Sequence, residues 1–224
     1  MQIISKVDNA LLEKINNFKH SLARQPIILL VRPSENVYLE ENSRKKFEEE
    51  IKEITIKGLL NLEIPWENKE SWLDLMTGLK SKFPYINLGS ASVKNKKSID
   101  DSKKVGLNFS MMKFWQKDLF IYSKKNEYLL IPGLNQLNQI EEAYSYNCRV
   151  IKIYPVKNQD NLLKNHDFKN ISFIAAGGIS ISDLHKFLKL DYQGIVIGER
   201  GYDGELFDKK ITKWLMYKDR DKKN

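Results

Sequence analysis

Arg149-Val150-Ile151-Lys152-Ile153-Tyr154-Pro155 is the segment around which the rest of the chain can be organised. Its β-branched and aromatic residues favour a strand, and the proline ends that strand. A lysine in the middle of it is unusual, because an ammonium group among apolar neighbours loses hydration and its pKa falls. The neutral amine is then a nucleophile that can attack a ketone carbon. The alternative is an outward-facing lysine whose ammonium group reaches water.

Short apolar strands alternate with amphipathic helices on both sides of this segment, which is typical of parallel βα units. We predict strands at residues 26–31, 59–64, 85–88, 106–111, 128–131, 149–155, 171–176 and 194–198. We predict helices at residues 8–22, with Asp8 as the N-cap, and at 39–54, 72–76 and 134–146.

Eight parallel strands with intervening helices favour an α/β fold of the (β/α)8 type, a TIM barrel with an additional N-terminal helix. An open, doubly wound sheet is the structural alternative, because a strand count taken from sequence carries errors. The sequence contains no linker, repeat or low-complexity segment. Residues 1–224 are therefore predicted to form a single barrel domain, with a disordered tail at 218–224.

The composition is typical of a globular protein and argues against nucleic acid and membranes as partners. Hydrophobic residues make up 42% and charged residues 29%, which permits a sizeable core and argues against global disorder. The net charge is +8, but the basic residues are scattered and not interleaved with aromatic ones, so we expect no nucleic-acid partner. No apolar run resembles a signal peptide or a membrane span, and the single Cys148 fits a reducing compartment. We therefore expect a cytoplasmic protein without membrane contact.

The residues that end the predicted strands are candidates for function, because the active site of a (β/α)8 barrel lies at the carboxyl ends of its strands. They combine several cations with one carboxylate: Arg32, Glu63, Ser92, Lys113, Lys152, Tyr154, Gly177, Gly178 and Arg200. Converging arginines and lysines neutralise carboxylate or phosphate charge, so the predicted ligand is a small anion.

Two of these candidates also have purely structural interpretations. Glu63 ends an apolar strand, where a carboxylate is costly unless paired, so it is either a proton shuttle or the ion-pair partner of Lys152. The glycines of Ala176-Gly177-Gly178-Ile179-Ser180 let the backbone approach an anion, and the next helix offers free N–H groups. The same glycines can also serve only to make a tight turn.

Several segments together resemble the class I aldolases that cleave 2-keto-3-deoxy-6-phosphogluconate (KDPG) and 4-hydroxy-2-oxoglutarate (KHG). The family has Lys-Phe-Phe-Pro where this chain has Lys-Ile-Tyr-Pro, and a Pro-Gly pair precedes the lysine by the same interval in both. The matching pieces, in family order, are Leu62-Glu63-Ile64, Leu88-Gly89 with Ser92-Val93, Ile131-Pro132-Gly133, Lys152-Ile153-Tyr154-Pro155 and Ala176-Gly177-Gly178-Ile179-Ser180.

The resemblance implies a homotrimeric barrel that forms a lysine imine with pyruvate and needs no metal or other cofactor. By this resemblance, Lys152 would be the Schiff-base residue and Glu63 the general acid and base. Tyr154 would pack on the pyruvyl group. It also implies that the Gly177-Gly178 turn holds a distal phosphate or carboxylate. Arg32 matches a position that is often basic in the family.

Several substrate-binding positions depart from the family pattern. The arginine that follows the family's glutamate by four residues is Glu67 here, and the family's threonine is Ser92. Met112-Lys113-Phe114 replaces a Ser-Pro-Gly segment, and Arg200 replaces a serine. The resemblance therefore supports the lysine and glutamate chemistry more strongly than any one substrate, with Lys113 or Arg200 as substitutes for the lost arginine.

The sequence thus predicts an aldehyde-lyase of carbohydrate metabolism that cleaves a 4-hydroxy-2-oxoacid to pyruvate and an aldehyde. Two alternatives stay open. Glu67 places a like charge near Glu63, which favours a barrel that has lost activity and serves as a binding or regulatory protein. The glycine turn also suits a phosphate-binding isomerase or synthase.

Overall fold

The computed structural model describes residues 4–157, 159, 162–163, 168, 170–198 and 211, and for residues 4–8 it describes the backbone alone. Among the predicted site residues, Arg200 lies outside the described residues, as does the predicted disordered tail at 218–224. None of the helices in the described part of the chain is long and apolar enough to cross a membrane.

The described strands form one parallel sheet that closes on itself. The strands are β1 (Ile27–Leu30), β2 (Asn61–Pro65), β3 (Asn87–Val93), β4 (Phe109–Met112), β5 (Leu130–Ile131), β6 (Gly133–Leu134), β7 (Val150–Ile153), β8 (Ser172–Ala175) and β9 (Gly194–Ile197). Their order is β5-β4-β3-β2-β1-β9-β8-β7-β6, and every pairing is parallel.

The fifth predicted strand, at residues 128–131, ends before Pro132, which has no N–H to give to a sheet, and a second short strand that was not predicted follows the proline. The part before the proline, β5, pairs with β4, and the part after it, β6, pairs with β7. The two short strands therefore occupy one position in the ring, which has eight positions. Pro132 still contributes its carbonyl, which accepts the backbone N–H of Lys152 at 2.9 Å. The predicted (β/α)8 barrel is confirmed.

Helices surround the sheet, and one more precedes it. They are α1 (Ile4–Arg24), α2 (Glu35–Leu39), α3 (Glu41–Ile56), α4 (Glu70–Lys82), α5 (Lys96–Lys104), α6 (Lys117–Lys125), α7 (Leu137–Ser145) and α8 (Leu184–Lys189), the last preceded by a 3-10 turn at Ile181–Asp183. Asp8 lies inside α1 and is not its N-cap, since a capping residue type alone does not fix a helix start. The short α2 was not predicted, and the extended backbone of Glu40 separates it from α3.

The N-terminal helix closes the bottom of the barrel. Its apolar residues Leu11, Ile15, Phe18 and Leu22 recur at helical spacing and are buried in the inner core of the barrel. The ring of Phe18 lies 4.8 Å from that of Phe109 on β4. A second apolar layer lies between the outer faces of the strands and the surrounding helices. The end of the barrel opposite α1 is therefore the one left open for a site.

Close backbone packing brings two of the predicted site residues together. A Cβ atom at Gly133 would lie 2.2 Å from the carbonyl oxygen of Lys113, so only glycine allows this approach of β6 to the end of β4. Gly133 is in turn the register partner of Lys152 on β7. The short strand β6 therefore lies between the end of β4, which Lys113 follows, and Lys152 on β7.

Candidate active site

A cavity of about 360 Å³ opens at the carboxyl ends of the strands. It brings together eight of the nine predicted site residues, and the ninth, Arg200, lies outside the described residues. The eight come from six positions around the ring: Arg32, Glu63, Ser92, Lys113, Lys152, Tyr154, Gly177 and Gly178. A pocket of this size and location is where a barrel places its ligand.

Lys152 points into the barrel and not outward to water. It lies on β7 between Ile151 and Ile153, which belong to the outer core layer, and only 6% of its surface is exposed. Burial lowers the pKa of its ammonium group, and the negative charge of Glu63 opposes that shift. Its Nζ lies 5.5 Å from the ring centroid of Tyr154, within reach of a cation–π contact. The buried position of this amine therefore favours its neutral form more than the surroundings of a surface lysine do.

Glu63 is also buried, at 2% exposure, and it lies in the middle of β2 and not at its end as predicted, because the strand continues to Pro65. Burial raises the pKa of its carboxyl group, while the charges of Lys152 and Arg32 act in the opposite direction. Its Oε2 has no hydrogen-bond partner among the described residues. None of the ion pairs between described residues joins Glu63 to Lys152, so the alternative of a direct structural pair is not what the structure contains. The carboxyl group faces the pocket with an unused oxygen.

Ser92 and Lys113 lie on the side of the pocket formed by β3 and β4. Ser92 has a φ of 58°, in the left-handed region, at a shift in the β3–β4 register between Ser90 and Val93. Such a conformation is uncommon for a residue other than glycine and is often found at binding sites. Lys113 follows β4 directly and is exposed, with its Nζ 5.1 Å from the centroid of the Phe114 ring. This side presents a hydroxyl and an ammonium group.

The glycine turn lies on the other side of the pocket, after β8. Gly177 and Gly178 have φ values of 96° and 72°, and a Cβ atom at Gly177 would lie 3.0 Å from the Cα of Pro155. The expected free N–H groups of the next helix are only partly available. The carboxylate of Asp183 accepts the backbone N–H of Ser180 at 3.0 Å and caps this short helical segment itself.

The loop after β2 turns Glu67 away from the pocket. Glu67 does not line the cavity, and its Oε2 lies 3.0 Å from Lys69 Nζ, which also contacts Glu35 at 2.7 Å. The loop is anchored by Trp66, whose Nε1 donates a hydrogen bond to the buried Asp101 at 3.1 Å. The negative charge that replaces the family's arginine therefore lies outside the pocket, in an ion pair that Lys69 shares between Glu67 and Glu35.

Some lining residues were not among the sequence candidates. Leu30, Ala91 and Val196 form apolar parts of the pocket wall. Phe114 does not line the pocket, but its ring lies 6.2 Å from that of Tyr154, which does. Sequence reasoning selected polar residues at strand ends, and an apolar residue there carries no signal that separates it from the core. In the described part of the chain, no cluster of histidine, cysteine, aspartate and glutamate is arranged to hold a metal ion.

The fold and pocket define a (β/α)8-barrel protein with a basic pocket around a buried lysine and a buried carboxyl group. A sequence model of the KDPG and KHG aldolases matches residues 38–212. The chain belongs to the KDPG and KHG aldolase family.

Individual relatives are distant. The 2-dehydro-3-deoxy-phosphogluconate aldolase of Pseudomonas aeruginosa is 26% identical over 135 residues, which cover 58% of this chain and 61% of that protein. The enzyme of the same name from Pseudoalteromonas atlantica is 22% identical over 125 residues, which cover 54% of this chain and 58% of the relative. The matched part thus spans less than two thirds of the length of these relatives.

Solved structures show the same fold. A KDPG aldolase from Legionella pneumophila, with pyruvate captured at low pH as a covalent carbinolamine intermediate, matches with a TM-score of 0.72 at 18% identity. The match covers 89% of this chain and 96% of that chain.

Proposed function

We propose that the protein is a class I aldolase, which cleaves a 4-hydroxy-2-oxoacid such as KDPG or KHG to pyruvate and an aldehyde through a Schiff base on Lys152. One observation carries the proposal: a buried lysine with a lowered pKa shares the mouth of the barrel with a buried glutamic acid that has an unused oxygen. A nucleophilic amine and a proton carrier in one desolvated pocket are the two groups that imine chemistry requires.

The reaction begins when the neutral amine of Lys152 attacks the C2 ketone carbon and forms a carbinolamine. Loss of the C2 hydroxyl group as water, with a proton supplied from Glu63, gives the protonated imine. Removal of the C4 hydroxyl proton then breaks the C3–C4 bond. The bonding electrons move to the imine nitrogen, the aldehyde leaves, and an enamine remains. Protonation of the enamine at C3 and hydrolysis of the imine release pyruvate and restore the amine.

Glu63 is suited to these proton transfers because burial raises its pKa above the usual value for a glutamic acid, which makes the protonated form more accessible than in an exposed carboxyl group. The positive charges of Arg32 and Lys152 limit that rise. The same residue can therefore act as the acid in dehydration and as the base in cleavage. The contact between Lys152 Nζ and the Tyr154 ring supports a role for Tyr154 in holding the pyruvyl group next to the imine nitrogen.

The two sides of the pocket support one orientation of the substrate. The C1 carboxylate, next to the carbon that Lys152 attacks, is assigned to Ser92 and Lys113 on the β3–β4 side. The distal anionic group is assigned to the Gly177-Gly178 turn and Arg32. A further cavity of about 270 Å³ shares that turn and extends to Lys157, which leaves room for a phosphorylated or carboxylated aldehyde portion.

The relatives support the same chemistry. The Legionella pneumophila structure holds pyruvate as a covalent carbinolamine, the type of adduct that an amine forms with a ketone. The proposal extends to a homotrimeric, cytoplasmic enzyme that acts on a small anionic 2-oxoacid in carbohydrate metabolism. The position of Glu67 supports activity, because the alternative of an inactive barrel depends on a like charge beside Glu63, whereas Glu67 does not line the pocket and pairs with Lys69.

A cleavage assay tests the proposal. The purified protein is expected to release pyruvate from KDPG or KHG in the presence of EDTA. Lys152→Arg should reduce the rate to background, because an arginine cannot form the imine, whereas Lys94→Arg, at an exposed lysine outside the pocket, should not change it. Substantial cleavage by Lys152→Arg would contradict imine formation on this lysine, and no cleavage by the unmodified protein would leave the phosphate-binding isomerase or synthase as the alternative. A folded protein that binds the substrates without cleaving them would favour a binding protein.

A further inference from the structure

A second cavity, here called the lower cavity, lies at the opposite end of the barrel from the candidate active site. Its volume is about 420 Å³, within the range of small-molecule sites. One wall is the carboxyl-terminal part of α1, from Lys14 to Arg24, and the other is formed by residues that immediately precede β2, β3, β4 and β5 together with Lys103 at the end of α5. The family's chemistry at the strand ends does not involve it.

The lining of the lower cavity is cationic. Lys14, Arg24 and Lys103 contribute three positive charges, and no aspartate or glutamate is among the lining residues that the structure describes. Within the described residues, none of the ion pairs contains any of these three cations. Like charges that share a cavity repel one another, so a bound anion would stabilise the arrangement.

Two of the cations converge on one turn. Lys14 Nζ donates a hydrogen bond to the carbonyl oxygen of Glu127 at 2.8 Å, and Lys103 Nζ donates one to that of Asn126 at 2.9 Å. An ammonium group has three donors, so each lysine retains donors for a ligand after this contact. The adjacent carbonyls thus hold the two lysines in place, although they come from helices far apart in the sequence.

The floor of the lower cavity is polar and fixed. Asn61, which is wholly buried, accepts hydrogen bonds from Ser21 and from Asn87, both of which line the cavity. Asn61 also donates to the carbonyl oxygen of Gln25 at 2.7 Å. Buried networks of this kind keep their members in one geometry. Tyr85, 58% exposed, adds an aromatic surface at the rim.

We propose that the lower cavity is a second binding site, for a small oxyanion that carries two or more negative charges, such as an organic phosphate. Three cations without a carboxylate among the described lining residues favour an anion. The side-chain amide of Asn87 gives one N–H to Asn61 and retains a second that can donate to an oxygen atom of the anion. Because α1 forms one wall and also plugs the inner core, the bound anion ties this helix to the strands. This site is independent of the proposed aldolase activity.

Inorganic pyrophosphate is a suitable probe, titrated calorimetrically into the full chain at low ionic strength. Binding at the candidate active site is removed beforehand with the double variant Arg32→Gln/Lys113→Gln. In that background we expect one pyrophosphate site to remain. Adding Lys103→Gln should weaken it about tenfold, the cost of one charge-assisted hydrogen bond. Adding Lys104→Gln should leave it unchanged, since Lys104 is the exposed neighbour on the same turn of α5 and does not line the cavity.

Arg24→Gln is the second test variant and should weaken binding by a similar factor, with the midpoint of thermal unfolding as the check that each variant folds. Loss of all pyrophosphate binding in the Arg32→Gln/Lys113→Gln background would overturn the proposal, because the binding would then belong to the candidate active site. Equal effects of Lys103→Gln and Lys104→Gln would also overturn it, because they would indicate attraction to net charge alone.

Discussion

The ionisation of Lys152 determines when the proposed reaction can start. Burial lowers the pKa of its ammonium group below the usual 10.5, with a smaller opposing effect from Glu63. Only the neutral amine attacks a ketone, so the rate of imine formation should rise as pH increases through this lowered pKa and then level off. We expect the midpoint of that rise to lie below pH 10.5, measured as the rate of borohydride-dependent modification with pyruvate. A midpoint at or above that value would contradict the assignment.

The assigned orientation of the substrate can be tested at two single residues. Lys113→Gln should raise the KM for pyruvate about tenfold in the exchange of its C3 protons with solvent, because a charged partner of the carboxylate is lost. Arg32→Gln should leave that KM nearly unchanged and raise the KM for the full substrate instead. Lys94→Gln is the control outside the pocket. Opposite effects of the two substitutions would reverse the orientation.

At the scale of the elements, β6 is the point at which the barrel closes. Gly133→Ala would place a methyl group 2.2 Å from the carbonyl oxygen of Lys113, and neither backbone can move freely. We expect this substitution to lower the free energy of unfolding by about 1–3 kcal/mol, as for overpacking, and to reduce activity because it separates β4 from β7. Urea unfolding and the cleavage assay measure the two effects.

Gly78→Ala is the matched control for this prediction. Gly78 lies inside α4, where a Cβ atom would have only one neighbour, at the ordinary distance of 3.7 Å. Alanine is the better helix former, so this variant should be more stable by up to about 1 kcal/mol. Equal stability of the two variants would contradict the account of barrel closure.

The strand pattern was predictable because buried parallel strands form continuous apolar runs, and each observed strand except β6 overlaps a predicted one. The strand after Pro132 and the separate helix α2 were not predicted, since both depend on local breaks within an otherwise regular pattern. The helices α5, α6 and α8 were not predicted either, because each has only six to nine residues, too few for a clear helical period. The left-handed conformation of Ser92 was not predictable either. It arises from a register shift between two strands, and a single sequence carries no direct signal for register.

At the scale of the whole molecule, the candidate active site was predictable because one rule, that function lies at the carboxyl ends of barrel strands, selects residues from every strand. No comparable rule predicts the lower cavity from the sequence. Its cations come from α1 and α5, and only the folded chain brings them together. Whether residues 1–224 form a single domain stays a prediction.

The oligomeric state is also a property of the whole molecule. We expect light scattering to give the mass of three chains in solution, as the resemblance to trimeric aldolases implies. Native mass spectrometry over a range of concentrations would establish how stable the assembly is. A monomer with full activity at all concentrations would contradict the expectation, without affecting the proposed chemistry.

The most direct measurement is covalent trapping on Lys152. The protein is treated with pyruvate and borohydride, digested, and its peptides are analysed by mass spectrometry. We expect a 1-carboxyethyl group on Lys152, produced by reduction of the pyruvate imine, and no such adduct in Lys152→Arg. An active preparation with no adduct, or with the adduct on a different lysine, would contradict the central claim.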